Sequence, residues 1–437
     1  MKTIMLTAPA SGCGKTTVSL AIIRALKKRG YEPSCFKTGP DYIDTAFLSA
    51  ASGKPAGNID IYLQGVVGIR QALSMADSEY CVIEGAMGYF DGIANTWHGS
   101  SYDIGKELGV SSVMVYTPKG EMFSAIPKIK GMIDFAGTQI KAVILNGVNR
   151  KTYLMLKEPI EKHTSVPVLG FMPRVNQAEL KSRHLGLVQS MEITNLDKLI
   201  GILAEQAEKN INFEALINLF SETDSNPFPS FRRRNLVVAI AKDKAFSFYY
   251  RENLKLFEES CIVKYFSPLN NSEIPECDLL YLGGGYPEVF RNELNANKTM
   301  RESVKKYALA GGCTYAECGG MIYLFDAIEG TEMVGVLKGE SRVTSKLQRF
   351  GYVAVTLLED CMLGKVGDTL NAHEFHRSET STLLQNVFRV TKAMSSKSWQ
   401  CGYRFGNVLA GYPHLNFLGN LGAFECILDY VTNLIHK

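Results

Sequence analysis

The chain has 437 residues, about three times the length of a typical single domain, so two domains are expected. A hydrophobic content of 46% with 21% charged residues is that of an ordinary soluble globular protein, and a net charge of +3 is too small to indicate a nucleic-acid or membrane partner. Ten cysteines without a CxxC pair argue against a zinc site or a disulfide framework and predict a reducing, cytoplasmic compartment, and no apolar run is long enough to span a bilayer.

The first predicted elements are a strand at residues 3–7 and an amphipathic helix at residues 18–29, separated by the loop APASGCGKTT. In a P-loop, backbone N–H groups bind phosphates at the helix N-terminus, a lysine reaches the outer phosphates and a hydroxyl ligates magnesium. Pro9 stands where the first glycine is usual, but SGCGKTT between a strand and a helix still favours a P-loop over a glycine-rich turn without function. The residues expected to bind the nucleotide, with Thr16 also a magnesium ligand, are Gly12, Gly14, Lys15, Thr16 and Thr17.

Two acidic stretches, CFKTGPDYID at residues 35–44 and CVIEGAMGYFDG at residues 81–92, each begin in a predicted strand. In an open parallel sheet the ligand lies beyond the carboxyl ends of the strands, so these side chains are expected to meet the P-loop. We expect Asp44 and Glu84 to join Thr16 as magnesium ligands, and Lys37 and Asp41 to lie near the transferred phosphate. For each carboxylate alone, a solvated loop charge stays open as the alternative.

Further strands are predicted at residues 112–116, 142–146 and 166–171, which completes a P-loop NTPase-like α/β domain with a parallel sheet at residues 1–221. The segment SETDSNPFPSFRRRN that follows has polar clusters, two prolines and a basic triplet, which predict a linker at residues 222–235. A second α/β domain is predicted at residues 236–437, with its first strand at residues 236–240 and its first helix at residues 246–258.

A strand, a sharp turn and a helix are predicted for GGCTYAECGGMIYL at residues 311–324, with Cys318 at the turn. The helix N-terminus favours a thiolate there. Upstream, a buried strand at residues 279–282 leads into GGGYPE, whose N–H groups are placed to face an oxyanion, and downstream GYPH offers His414 as a base. Because a single cysteine is more often a core residue, the prediction of a nucleophile depends on this combination.

The order of glycine-rich turn, cysteine elbow and late histidine resembles the class I glutamine amidotransferases, which hydrolyse glutamine at cysteine and release ammonia. Their triad usually ends His-x-Glu, whereas Asn416 stands in that place here, as in the cobyrinate and cobyric acid synthase branch. Together with TGPDYID, EGAMGYFDG and the P-loop, the chain resembles the cobyrinate a,c-diamide synthase family over nearly its whole length. The resemblance implies a dethiobiotin-synthetase-like P-loop domain joined to a glutamine amidotransferase domain, and it implies that Asn146 contacts adenine.

The same resemblance implies an enzyme that uses ATP, Mg²⁺ and glutamine to amidate the a and c acetate carboxylates of cobyrinate in cobalamin biosynthesis, through an acyl phosphate. Relatives act on nickel-sirohydrochlorin, so the tetrapyrrole acceptor stays open, and a homodimer is compatible with the family. Thr45, Leu48 and Thr117 depart from the family's usual residues in the first domain.

Further matches to the family are RHLGL at residues 183–187 and HEFH at residues 373–376. His373 and His376 have metal-ligand spacing without an evident third ligand, so a structural or substrate-contact role is favoured. The rival hypotheses are a P-loop maturation or partition ATPase, a dethiobiotin-type ligase and a free-standing cysteine hydrolase, and each explains only one half of the chain.

Overall fold

The computed structural model describes residues 1–176, 182–183, 186–187 and 190–436. The chain forms two compact units, Met1–Ile61 with Gly65–Phe228, and Tyr62–Gln64 with Pro229–Lys437. Both units are α/β, which confirms the predicted fold class. The change from the first unit to the second falls inside the segment predicted as a linker, where residues 223–234 form neither helix nor strand.

The first unit is built on strands whose apolar runs are buried on both faces, as expected for a parallel sheet covered by helices. Its strands are β1 (Lys2–Thr7), β2 (Ser34–Thr38), β3 (Gly57–Ile59), β4 (Tyr80–Glu84), β5 (Ser112–Tyr116), β6 (Ile140–Asn146), β7 (Val168–Met172), β8 (Ser182–Arg183), β9 (Gly186–Leu187) and β10 (Ser221–Glu222). The main sheet has the order β3-β2-β4-β1-β5-β6-β7 with every neighbouring pair parallel, and β10 adds antiparallel to the start of β1. The predicted strand at residues 112–116 coincides with β5, and those predicted at residues 3–7, 142–146 and 166–171 overlap β1, β6 and β7.

Helices follow most strands of the first unit. They are α1 (Lys15–Lys28), α2 (Tyr42–Ser52), α3 (Ile61–Leu73), α4 (Ser101–Leu108), α5 (Ala125–Asp134), α6 (Arg150–Thr164), α7 (Leu196–Asn210) and α8 (Phe213–Ile217). Helix α1 begins three residues earlier than the apolar periodicity predicted, because Gly14 has a left-handed backbone (φ 77°) that lets Lys15, Thr16 and Thr17 form the first turn. The apolar faces of α1, α2 and α7 close one core against the sheet.

The second unit has a larger mixed sheet in the order β13-β11-β14-β16-β25-β24-β23-β20-β21-β26. The strands of this sheet and of two small sheets in the same unit are β11 (Val237–Ala241), β12 (Phe246–Phe248), β13 (Ile262–Phe266), β14 (Leu279–Leu282), β15 (Gly284–Gly285), β16 (Cys313–Glu317), β17 (Phe325–Ile328), β18 (Thr331–Glu332), β19 (Leu337–Val343), β20 (Arg349–Leu357), β21 (Thr369–His376), β22 (Ser378–Ser381), β23 (Asn386–Lys392), β24 (Ser398–Phe405), β25 (Val408–Gly411) and β26 (His414–Leu415). Its helices are α9 (Arg251–Ser260), α10 (Arg291–Ala296), α11 (Lys298–Leu309), α12 (Gly319–Leu324) and α13 (Leu421–Ile435).

The five strands from β13 to β25 are parallel, and the rest of the sheet is antiparallel. Strand β26 follows β25 after only two residues, yet it pairs with β21 at the far end of the strand order. The antiparallel half therefore curves back on itself, and this return places His414 of β26 opposite His373 of β21.

The helix predicted at residues 246–258 is wrong over its first part. Phe246–Phe248 form the strand β12, which pairs antiparallel with Gly284 and Gly285, and the helix α9 begins only at Arg251. The partner strand lies more than thirty residues away in sequence, so local periodicity does not reveal the pairing.

Within the described part of the chain, no helix combines the length and the apolar character needed to cross a membrane.

Candidate active sites

The P-loop lies between β1 and α1 and is held open by two glycines with positive φ, Gly12 at 74° and Gly14 at 77°. A Cβ atom at Gly14 would lie 2.2 Å from Nδ2 of Asn146, so a larger residue would displace that side chain and would also be strained at this positive φ. The Lys15 ammonium group donates hydrogen bonds to the carbonyl of Ala10, at 3.3 Å, and to that of Met87. The loop thus lies across the carboxyl end of β1 with its lysine buried above the sheet.

A compact ionic cluster joins the P-loop to the ends of β2 and β4. The Thr16 hydroxyl donates to Oε1 of Glu84 at 2.8 Å, and the Lys37 ammonium group lies 2.7 Å from the same oxygen and 2.6 Å from Oδ2 of Asp44. The other carboxylate oxygen of Glu84, Oε2, is buried and has no hydrogen-bond partner among the described residues. The predicted magnesium ligands Thr16, Asp44 and Glu84 therefore converge on one place.

The charged side chains in this cluster shift one another's pKa values. Burial lowers the pKa of Lys37, but the carboxylates of Asp44 and Glu84 outweigh burial and raise it above its ordinary value. Burial, with the positive charge of Lys37, lowers the pKa of Lys15. Burial and the neighbouring Asp44 raise the pKa of Asp41 to about 7.

Asp41 begins helix α2 and is bound to its backbone. Its Oδ1 accepts hydrogen bonds from the N–H groups of Ile43 at 2.9 Å and Asp44 at 2.8 Å, so the side chain caps the helix. Through this cap it fixes the backbone of Asp44, the residue that contacts Lys37. Two departures from the family pattern lie on the same helix: the Thr45 hydroxyl bonds to carbonyls of the preceding turn, and Leu48 is buried in the apolar core.

Asn146 and Thr117 together hold the P-loop backbone. Nδ2 of Asn146 donates to the carbonyl of Cys13 at 3.1 Å and to the Thr117 hydroxyl at 3.2 Å, and that hydroxyl donates to the same carbonyl at 2.8 Å. Thr117, which departs from the family's usual residue, thus helps to hold the backbone of the P-loop. Thr17 lies in the first turn of α1 with a partly buried side chain. Of the RHLGL match, His184 and Leu185 lie outside the described residues.

The donor atoms of the cluster fit Mg²⁺. This ion prefers oxygen ligands and is usually held by one or two carboxylates together with water and phosphate oxygens. The Thr16 hydroxyl and Oε2 of Glu84, which has no hydrogen-bond partner among the residues described, lie at the predicted phosphate-binding loop, and Asp44 supplies a second carboxylate.

Cys318 sits at a sharp turn between β16 and α12 with an unusual backbone, φ 45° and ψ −101°. Its N–H group donates to the carbonyl of Gly411 at 2.7 Å, which fixes the turn against β25. The following residues must be glycine: a Cβ at Gly319 would lie 2.9 Å from the backbone nitrogen of Gly285, and one at Gly320 would lie 2.1 Å from the carbonyl oxygen of Leu282. The elbow is thereby packed against the end of β14 and the glycine turn that follows it.

His414 is buried beside this elbow and borders three groups. Its Nδ1 is 3.8 Å from Oε2 of Glu317, its ring stacks on His373 with centroids 5.0 Å apart, and its Cε1 lies against Gly284, where a Cβ would approach to 2.3 Å. Burial disfavours the imidazolium, but hydrogen bonding and charge from Cys318 and Glu317 outweigh burial and raise the pKa of His414 to about 10. The structure therefore brings the two predicted catalytic residues, Cys318 and His414, close together.

The two histidines of the HEFH segment differ in their surroundings. His373 shares a 2.9 Å hydrogen bond with the hydroxyl of Tyr250, and burial together with the charge of His414 lowers its pKa well below the ordinary value. His376 stacks on Tyr412 with centroids 3.7 Å apart, and its Nδ1 lies 2.9 Å from the carbonyl of Ser378. Among the residues that the structure describes, no group of three or more histidine, cysteine or acidic side chains is arranged to hold a metal ion.

Sequence reasoning missed Glu317. This residue is only 2% exposed, and its carboxylate accepts hydrogen bonds from the hydroxyls of Tyr315 at 2.7 Å and Tyr281 at 3.0 Å and from the N–H group of Leu415 at 3.1 Å. The sequence contained one indication of its importance: Glu317 is a charged residue at the end of a largely apolar strand, directly before the predicted nucleophile.

Comparison with known proteins identifies both domains. Residues 4–188 match the CobQ/CobB/MinD/ParA nucleotide binding domain, and residues 237–421 match the CobB/CobQ-like glutamine amidotransferase domain. The cobyrinate a,c-diamide synthases of Clostridium acetobutylicum and Clostridium tetani are 42% and 40% identical to this chain, over 100% and 98% of it and over 100% of each relative. The protein of the same name from Streptococcus sanguinis is 37% identical over 99% of both chains. With this similarity along its whole length, and with both domains that an ATP-dependent, glutamine-using ligase requires, the chain belongs to the cobyrinate a,c-diamide synthase family.

Proposed function

We propose that this protein uses ATP and glutamine to amidate the a and c acetate side chains of cobyrinate, a step of cobalamin biosynthesis. The observation that carries the proposal is the presence on one chain of a P-loop with a lysine–carboxylate cluster and a buried Cys318–His414 pair, in a sequence whose relatives are named for this reaction. A maturation or partition ATPase would leave the amidotransferase domain without a role.

In the glutamine half of the reaction, the Cys318 thiolate attacks the side-chain amide carbon, and the imidazolium of His414 gives its proton to the departing ammonia. Water, giving a proton to the neutral His414, then attacks the resulting thioester, and the thiolate leaves, which releases glutamate and restores the thiolate–imidazolium pair. The turn at Gly284 and Gly285, which packs against the elbow, supplies backbone N–H groups on the side where the oxyanion forms.

In the activation half, a carboxylate oxygen of the acceptor attacks the γ-phosphorus of ATP, and ADP leaves with the bridging oxygen. Ammonia then attacks the acyl carbon, and phosphate departs with the carboxylate oxygen. Lys15 and Lys37 offset the negative charge of the phosphates. Thr16, Asp44 and Glu84 would hold Mg²⁺, which would further neutralise that charge.

The acceptor is the part of the proposal that needs a direct test. Purified protein is incubated with ATP, glutamine and, in turn, cobyrinate, its metal-free counterpart and nickel-sirohydrochlorin, and the products are analysed by mass spectrometry. We expect cobyrinate to gain two amides, each replacing a hydroxyl by an amino group. Amidation of nickel-sirohydrochlorin without amidation of cobyrinate would show that the reaction type is right but that the acceptor is a different tetrapyrrole. Glutamine hydrolysis without amidation of any tetrapyrrole would contradict the proposal.

A further inference from the structure

Asn416 occupies the position that carries the glutamate of the usual Cys–His–Glu triad, and its side chain caps a helical turn instead of contacting the histidine as an anion. Asn416 is fully buried, and its Oδ1 accepts a hydrogen bond from the N–H group of Leu418 at 3.0 Å, which caps the short helical turn at Phe417–Gly419. The side chain that could act as an anion for His414 must therefore come from elsewhere in the fold.

Glu317 lies where such a carboxylate is needed. Its Oε2 is 3.8 Å from Nδ1 of His414, and its Oε1 accepts a hydrogen bond from the N–H group of Leu415, the next residue along β26. One carboxylate thus contacts both the imidazole ring and the backbone that carries it. Since β16 and β26 are not neighbours in the sheet, this carboxylate is a direct link between the nucleophile's strand and the base's strand.

The surroundings of Glu317 suit an anion. The hydroxyls of Tyr281 and Tyr315 both donate to it, and hydrogen bonds from neutral donors stabilise a buried carboxylate without cancelling its charge. These two tyrosines lie on β14 and β16, so the carboxylate is fixed by rigid strands rather than by loops.

We propose that Glu317 is the positioning residue of the glutaminase site: it orients His414 and stabilises its imidazolium, in place of the carboxylate that the usual triad draws from two residues after the histidine. The reaction that Glu317 assists is the one proposed above, so the inference depends on that function for its role but not for its geometry.

The other titratable groups that face His414 are Cys318 on the elbow and His373 on β21. His373 is held neutral by burial and by its neighbour, so a single positive charge resides on the stacked pair of rings. The pKa of His414 is raised to about 10: Cys318 is the largest cause of the rise, and the charge of the Glu317 carboxylate, 3.8 Å from Nδ1, adds to it.

The test is Glu317→Gln, which preserves size and removes the charge. Because Glu317 raises the pKa of His414, its loss should let the imidazolium deprotonate at lower pH, and the alkaline limb of kcat/KM for glutamine should move down by about one pH unit or more. We expect kcat to fall about a hundredfold, with a much smaller change in KM, since the residue acts through the base. An alkaline limb that stays in place would overturn the proposal.

Glu374→Gln is the matched control. Glu374 is equally buried in the same unit, and its Oε2 lies 3.9 Å from Nε2 of His376, so this variant removes a second buried carboxylate beside a histidine. It should leave the position of the alkaline limb unchanged. An equal shift in both variants would indicate a general electrostatic effect and would contradict a specific role for Glu317.

If Glu317→Gln does not fold, the proposal can still be tested by measuring the titration of His414 in the unaltered protein. Histidine NMR, with the His414 signal assigned by its absence in His414→Asn, should show His414 still protonated at pH 8; titration at or below the ordinary histidine pKa of about 6.5 would overturn the inference. Failure of the proposed function would be seen separately, as unaltered protein that does not hydrolyse glutamine, and the titration of His414 would still be readable.

Discussion

The two candidate active sites of this protein differ in the number of charged side chains that they contain. In the first unit, two lysines and two carboxylates meet at the P-loop, and one carboxylate oxygen of Glu84 has no partner among the described residues. In the second unit, a single carboxylate is enclosed by tyrosine and histidine side chains beside Cys318. Clustered opposite charges suit a highly charged ligand such as ATP, whereas a buried and nearly charge-balanced set suits the movement of one proton. The comparison implies that the two sites are chemically independent, and each of the following changes tests that independence.

The largest effect is expected from Lys15→Ala. Without this ammonium group beside the phosphates, product formation should be lost with glutamine and with free ammonia alike, because both routes need the same activated carboxylate. Hydrolysis of glutamine at Cys318 should persist at least in part. Product and glutamate are measured in parallel, and Lys28→Ala, at the exposed far end of α1, is the control that should keep both activities. Rescue of Lys15→Ala by ammonia would contradict the assignment.

Cys318→Ala should break the other site alone. Removal of the thiol abolishes glutamine hydrolysis and glutamine-dependent amidation, while high concentrations of free ammonia should still support product formation. The matched control is Cys313→Ala, which alters a buried cysteine at the start of β16, the strand that leads to Cys318, and should retain glutaminase activity. Glutamate release by Cys318→Ala would show that the nucleophile lies elsewhere.

His414→Asn should slow glutamine-dependent turnover by about a hundredfold, a magnitude usual for loss of a general acid–base. Ammonia-dependent turnover should be unaffected, since the base serves only the glutamine half. Steady-state rates with the two nitrogen sources provide the measurement, with exposed His163→Asn as the control. A near-normal rate with glutamine would mean that the proton is transferred by another group.

Thr117→Val is expected to have the smallest effect. It removes the hydroxyl that bonds to the Cys13 carbonyl and to Asn146, each bond being worth about 1 kcal/mol, so KM for ATP should rise by about thirtyfold at most. Glutaminase activity should not change. Thr138→Val removes a hydroxyl that bonds to the carbonyl of Ile133 and should leave KM for ATP unchanged. An unaltered KM for Thr117→Val would mean that the loop keeps its shape without this contact.

The two sites also differ in how far the sequence could predict them. The P-loop cluster depends on residues at the carboxyl ends of parallel strands, and those ends meet at one edge whatever the details of packing, so Thr16, Lys37, Asp44 and Glu84 were expected to converge. The position of Asp41 near the transferred phosphate stays a prediction, and the helix cap that the structure adds to it was not predicted from the sequence.

The glutaminase site depends on tertiary pairings that local patterns do not contain. Cys318 and His414 were predictable from motifs, but the position of His414 results from the return of β26 to pair with β21. The same return sets Glu317 beside the imidazole and His373 beneath it. Likewise, Phe246–Phe248 form a strand because they pair with Gly284 and Gly285, which are distant in sequence.

The central claim, that one site activates a carboxylate with ATP while the other supplies ammonia, is tested most directly by isotope transfer. Acceptor tetrapyrrole labelled with oxygen-18 in its carboxylates is converted with unlabelled ATP, once with glutamine and once with ammonia, and the released phosphate is analysed by mass spectrometry. An acyl phosphate passes one carboxylate oxygen to phosphate, so we predict one labelled oxygen per amide formed with either nitrogen source, and the same result for Cys318→Ala with ammonia. Amide formation with unlabelled phosphate would contradict the account.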